Sequence, residues 1–469
     1  MTSRPGKTPA PRTTAPRRTL LAALALTLGA LPLAACGGGS DDAGSAEDAQ
    51  FTKDVSGELS VWGFNNADDV GKARLASAQQ QIGNVKINLD ETGFDSQKFT
   101  TRAASKTLPD VVQMDRQYVA TYAAQDLIVP LDSCFSLYGV DPSSYWYPAV
   151  VKDVTYKDQV WAEPQFFQPS AIMLNQRVLD EAGLSAADFD TSKTDALLAT
   201  AKKLTVTEGG NPTRLGFDPV AEGQISAWVL GFGGQVMDDA GVPTLDNPNN
   251  ARALAYLKQL YDAQGGYAKA KSFSDAFDTF GKNNQFVKDQ VGAQIDAQWY
   301  VNVLSPYTKD VDISATPFKD QTGQPLSVSG GTSFVIPAGA KNMNAACAYV
   351  VDLTKEANWT AAAEARAATL AGKPGSINTG LFTGSPSVDK TLREKFVKSS
   401  GNKGFDETIA TYYEVVGAAK SQGSSPAGQA IQSELRNALS AVLLGQKSPE
   451  QALTDAQAAA KRAYDQFGG

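Results

Sequence analysis

The sequence predicts an α/β fold divided between two domains, and three observations carry that expectation. Strand-like runs at residues 59–64, 85–89 and 110–114 are separated by stretches of helical character, a β-α-β-α-β order that calls for parallel strands with helical crossovers. Later helices are punctuated at their ends, as at Asn247-Pro248 and Ser448-Pro449, where a capping side chain precedes a proline suited to the first helical position. And 469 residues with 42% hydrophobic side chains exceed what a single core normally organises.

Taken in order, residues 1–35 read as an export signal. Arg4, Lys7, Arg12, Arg17 and Arg18 precede an apolar run at 20–33 that contains Gly29 and Pro32 and is short for a membrane span. It ends in Leu33-Ala34-Ala35-Cys36, which resembles a bacterial lipobox; that resemblance implies cleavage before Cys36 and lipidation of its thiol. Arg17-Arg18 also resembles a twin-arginine signal, so the export route stays open. Residues 36–56, beginning Gly37-Gly38-Gly39-Ser40-Asp41-Asp42, have the small and acidic composition of a flexible tether.

Composition removes several functions. The whole chain carries 42 basic and 50 acidic residues; losing the leader's five cations leaves 37 against 50, a net charge of −13 with no cationic cluster, which argues against a nucleic-acid partner. There is no histidine, hence no Ser-His or Cys-His nucleophile and none of the commonest metal ligand. No phosphate-binding glycine loop is present, and no cofactor is expected. With Cys36 assigned to lipid, Cys134 and Cys347 either bridge in an oxidising compartment or remain two buried thiols.

Within the globular part, the loops after the three early strands place Asn65, Asp68, Glu91 and Asp115 at one cleft, because parallel strands present ligand-facing residues beyond their C-terminal ends. A strand at 171–174 leads into a short helix between a capping Asn175 and a terminating Gly183. Leu254, Leu257, Leu260 and Tyr261 form one helical face. Leu453, Ala456, Ala460, Tyr464 and Phe467 form another that reads as core.

Several segments together resemble the maltose-binding-protein-like family of extracellular sugar-binding receptors. They are Leu108-Pro109-Asp110-Val111-Val112 with Ala123 to Asp132, Trp161-Ala162-Glu163-Pro164 followed by Asn175 and Glu181-Ala182-Gly183-Leu184, the run from Phe286 to Trp299, and Gly330-Gly331-Thr332-Ser333-Phe334-Val335-Ile336-Pro337. The resemblance spans about residues 59–467. It implies a two-lobed periplasmic-binding-protein-like fold with a hinge and an interlobe ligand cleft, the first lobe from 57–163 and 318–372, the second from 164–317 and 373–469, with crossovers near Pro164, Pro317 and Gly372. It further implies a monomeric, non-enzymatic receptor of an ABC importer, held on the outer face of the membrane, that delivers a mono- or oligosaccharide to permease subunits. Two positions depart from the family: Phe166-Phe167 stands where a polar residue is frequent, and Asp289 replaces a usual glycine.

Sugar recognition needs flat aromatic faces and planar polar groups together. Trp299, Tyr300 and Trp228 are the stacking candidates, although Trp228 reads equally well as core and Trp62 better as core. Asp296, Phe166, Gly331 and Thr332 complete the expected site, the glycine for close backbone approach. The alternatives are a cationic or peptidic solute held by the acidic cleft, or a secreted glycoside hydrolase, whose two carboxylates need no histidine. A metal site is not expected.

Overall fold

The computed structural model describes residues 49–64, 68–221, 224–373 and 375–467. The leader, Cys36, most of the tether and Asn65 lie outside them.

Three parallel strands open the fold: β1 (Glu58–Trp62), β2 (Lys86–Asp90) and β3 (Val111–Asp115), each within a residue or two of its expected place. Leu59, Val61 and Trp62 bury their side chains, which is why this apolar run becomes a central strand. The hairpin β4 (Thr155–Tyr156) and β5 (Gln159–Val160) leads to β6 (Glu163–Pro164), and β7 (Ser170–Asn175) opens a second sheet. After a second hairpin, β8 (Val206–Glu208) and β9 (Asn211–Arg214), come β10 (Ala293–Ala297) and β11 (Ile313–Thr316), both antiparallel to β7. Then β12 (Phe318–Lys319) and β13 (Pro325–Val328) precede the return strand β14 (Thr332–Val335), and β15 (Ala419–Lys420) comes last. The first sheet runs β2-β1-β3-β14-β6, the second β10-β7-β11, and a small third β12-β13-β15.

The chain passes between the first and second sheets at residues 165–169 and returns at 329–331. These passages run side by side: Gln168 N donates to Gly330 O (2.9 Å) and Gln165 N to Thr332 O (3.1 Å). The return therefore lies beyond the expected Pro317. The intervening β12–β13 hairpin, turning at Asp320–Gly323 where Thr322 N meets Asp320 Oδ1 and Gly323 takes a φ of +82°, stands outside the first sheet. Nor does the chain leave the first side near Gly372, because helix Pro386–Phe396 still packs against helix Glu356–Ala371.

Asn175 does not cap the following helix Gln176–Glu181; its amide donates to Asp289 Oδ1 (2.9 Å) and Phe286 O (3.3 Å) instead. Asp289 has φ +52°, which accounts for the glycine usual at that position, and its carboxylate also accepts from Arg177 Nη2 at 2.7 Å. Asn247 does cap helix Pro248–Ala263, accepting from Asn249 N. In the last helix, Pro449–Phe467, Leu453, Ala456 and Ala460 are buried while Phe467 is exposed. Cys134 and Cys347 are bonded, joining helix Asp132–Tyr138 to helix Met343–Thr354 with their Cα atoms 5.8 Å apart.

Two buried acids tie stability to pH. Burial pushes Glu163 from 4.5 up to about 8 and Asp389 from 3.8 up to about 7, against hydrogen bonds from Thr354 and Thr383. An acid whose folded value is raised keeps its proton after the unfolded chain has released it, so stability falls as pH rises, for Glu163 between about 4.5 and 8. Glu163→Gln is expected to be neutral below pH 4.5 and stabilising by roughly 3–5 kcal/mol above pH 8. Denaturant unfolding at pH 4 and pH 9 checks this; equal gains at both would exclude the titration as cause.

Candidate ligand cleft

Two recesses lie along one helix, Gly428–Leu443. Gly428 and Gln432 line one of about 220 Å³, and Arg436 and Ser440, one and two turns on, line another of about 480 Å³. Residues four apart share a helix face, and this stripe adjoins the buried side of the helix, which Gly428 shares with Ile431, Leu435 and Val442. At 1.5 Å per residue the stripe from Gly428 to Ser440 is roughly 18 Å long.

The smaller recess is built from both sides of the fold. Asp115 and Arg116 enter from the end of β3, Gly330 and Gly331 from the return passage, and Gln422 to Ser425 from the loop after β15. Asp115 is open to the recess, yet the surrounding protein raises its carboxyl above the usual range, with the Arg116 charge pulling the other way. Gly331, at φ +140°, cannot be replaced without strain: an added Cβ would sit 2.0 Å from Phe166 O.

The larger recess carries an amide ladder on and beside β10. Gln285 Nε2 donates to Gln294 Oε1 (3.0 Å), and Gln294 Nε2 donates to Asp296 Oδ2 (2.7 Å), whose Oδ1 accepts from Ala297 N (2.7 Å). All three side chains line the recess and are nearly inaccessible, and Gln285 Oε1 has no partner among the described residues. Asp218, which accepts from the Tyr261 hydroxyl (3.3 Å), adds a second buried carboxylate, and Tyr267 and Phe277 supply aromatic surface. Burial and the Asp218 charge both push the Tyr261 hydroxyl well above its ordinary range, keeping it a donor. Phe280, next in the chain after the lining Thr279, stacks on Trp299 with ring centres 5.9 Å apart and planes at 21°; Phe280 is 69% exposed.

Of the expected site residues, Asp115, Asp296 and Gly331 thus line recesses, while Trp299 lines neither and packs on Phe280 and Tyr300. Glu91 is exposed just after β2. Asp68 is committed elsewhere: one oxygen caps helix Asp69–Gln81 at Gly71 N (2.7 Å) and the other meets Arg366 Nη2 (2.9 Å). Phe166 turns its ring from both recesses onto Trp359 and the Arg74 guanidinium, while Thr332 Oγ1 accepts from Gln165 Nε2 (3.0 Å). Trp228 and Tyr300 are corrections. Trp228 is fully buried among Phe217, Tyr256 and Phe318, its indole donating to Pro219 O, and Tyr300 is fully buried with its hydroxyl on Thr279 O, so neither presents a face to a ligand. Trp62 is also core. Sequence reasoning missed Gln285, Gln294, Asp218, Phe280 and the polar stripe of helix Gly428–Leu443; of these, the four-residue spacing of the stripe was a readable signal.

Comparison with known proteins assigns this architecture. Residues 73–382 match the family described as bacterial extracellular solute-binding protein. The diacetylchitobiose binding protein DasA of Streptomyces coelicolor is 23% identical over 347 residues, covering 70% of this chain and 76% of its own. Among solved structures, CpMnBP1 with mannotriose bound superposes with a TM-score of 0.70 at 22% identity, over 86% of this chain and 99% of that one. The GacH receptor of Streptomyces glaucescens, solved unliganded and with acarbose, gives 0.66 at 19% identity, over 88% and 100%. The fold is therefore the two-lobed α/β architecture of these receptors. Together with the family match, which covers well over half of the chain, this makes it a member of the bacterial extracellular solute-binding protein family, an extracytoplasmic binding protein and not an enzyme.

Proposed function

We propose that this solute-binding protein is the lipid-anchored receptor of an ABC importer, that it binds an oligosaccharide along the groove of helix Gly428–Leu443, and that it delivers the sugar to membrane permease subunits. The observation that carries the reading is the larger recess, where the buried ladder Gln285–Gln294–Asp296 offers planar hydrogen-bonding groups beside aromatic surface. Hydroxyl groups need paired donors and acceptors, and sugar rings offer apolar faces to aromatics. A groove of roughly 18 Å suits several sugar rings better than one. The saccharides named for DasA, CpMnBP1 and GacH support the cargo class. In this reading Asp115, Gly331 and Thr332 serve the hinge end of the groove, Asp296 and Trp299 the far end, and Glu91 faces them from the first lobe. Residues 165–169 and 329–331 are hinge passages, and Cys36 carries the anchor.

The test is thermal unfolding of the chain from Gly37, with mono- and oligosaccharides, amino acids, peptides and polyamines added in turn. A ligand at 100 times its dissociation constant adds about 2.7 kcal/mol, which moves the midpoint by several degrees. Stabilisation by one group of oligosaccharides without their hydrolysis is the expected result. Stabilisation by a polyamine or peptide alone would retain the receptor and reject the sugar.

A further inference from the structure

Arg116 sits at the start of the turn after β3, nearly inaccessible, and its guanidinium is fully engaged. Nη1 donates to Phe166 O (2.7 Å) in the outgoing passage, Nη2 to Gly330 O (2.6 Å) and Ser329 Oγ (3.2 Å) in the returning one, and Nε to Asp153 Oδ2 (3.3 Å). Asp153, on helix Pro148–Val154, accepts through its other oxygen from Ser421, in the loop that leads into helix Gly428–Leu443. That loop is itself joined to the return passage, because Ser329 N donates to Lys420 O at 2.8 Å. One ion pair of the first lobe therefore grips these two passages and a second-lobe loop, while a third passage, between helices Pro386–Phe396 and Lys403–Val415, lies outside its reach of hydrogen bonds. The lobes touch in this arrangement, Gln429 N approaching Thr121 Oγ1 at 3.5 Å.

We propose that the Arg116–Asp153 pair, which borders the smaller recess, is a hinge clamp that favours the closed arrangement of the lobes and so sets ligand affinity through the lobe equilibrium. Closure requires torsional change where the chain passes between the lobes, and carbonyls of two of those passages, 165–169 and 329–331, are the groups the guanidinium holds in fixed register. Arg116 is a positioning residue: its planar fork of five donors holds two carbonyls, a hydroxyl and a carboxylate at once, four acceptors spread in directions that the three donors of a single ammonium nitrogen do not match. Burial shifts both partners against their charged forms, raising Asp153 and lowering Arg116, so the pair is a costly way to add stability; fixing a geometry explains it better. A protein closed in only part of its population binds ligand more weakly by that fraction, which links the clamp to affinity.

The test needs no ligand and so stands apart from the sugar assignment. Spin labels at Lys106→Cys and Lys288→Cys, exposed on opposite lobes, report the interlobe distance in the free protein. Arg116→Lys is expected to move the distribution to longer distances, raising the open-to-closed ratio on the order of tenfold, the loss of one charge-assisted hydrogen bond. Ser421→Ala, which frees only the loop, gives a smaller shift in the same direction. The pair Cys134→Ala and Cys347→Ala, which loosens the first lobe away from the passages, lowers the melting midpoint without moving the distribution. An unchanged distribution in Arg116→Lys, or a shift toward shorter distances, overturns the proposal. If that variant does not fold, an unchanged distribution in Ser421→Ala does so.

Discussion

Replacing Cys134 and Cys347 together by alanine is expected to lower the unfolding free energy by roughly 3–5 kcal/mol while leaving ligand affinity within about twofold. The bridge closes a loop of 213 residues, and in the chain-entropy account constraint of the unfolded state grows with the logarithm of loop length. Both sulfurs are fully buried in the main core, so the lost packing adds to the lost constraint. The bond joins two helices packed on the side of the first sheet and neither spans the passages nor lines a recess, so the geometry of closure is expected to be untouched. Denaturant unfolding and calorimetric binding of the double variant check both parts. An affinity loss beyond tenfold would mean that the first lobe needs the bridge to hold its cleft loops in place.

How far the sequence reveals this molecule depends on whether a signal is local. The first three strands were legible because each is a strand-like run long enough to read, β2 by its polar–apolar alternation, and the capped helix Pro248–Ala263 because its boundary is written in adjacent residues. Strands of two to four residues, such as β12, β13 and β15, have no periodicity to detect, so the hairpin before the return strand was absorbed into the first lobe. The same division holds at the site. The placement of Gly331 at a recess was legible because a glycine pair at a strand start announces close backbone approach, and that of Asp296 because it nears a strand's end. Trp228 and Tyr300 were not, since an aromatic at an element's edge turns inward or outward according to distant neighbours: Phe318, ninety residues from Trp228, closes the pocket that buries it. Gln285 and Gln294 carry no signature as residue types; their meaning comes from Asp296 and from a helix more than a hundred residues later.

Phe280 offers the sharpest separation of binding from folding. Phe280→Ala is expected to leave the melting midpoint within about one degree, because the ring is 69% exposed and little apolar area leaves the core. Yet, on the proposed sugar-binding reading, it should weaken the ligand on the order of tenfold, since an exposed aromatic stacked on Trp299, one residue along from the lining Thr279, is the kind of surface a sugar ring covers. Trp299→Ala differs in kind: that ring is half-buried and also meets Tyr300 edge-on, so both midpoint and affinity should fall. Parallel titrations of the two variants with the saccharide that stabilises the wild type decide the matter. If Phe280→Ala binds normally while Trp299→Ala loses stability and affinity in proportion, the pair is surface packing, and the aromatic contact with sugar falls to Tyr267 and Phe277 inside the recess. If Phe280→Ala alone lowers affinity at unchanged midpoint, the stack is the platform that holds the outermost sugar.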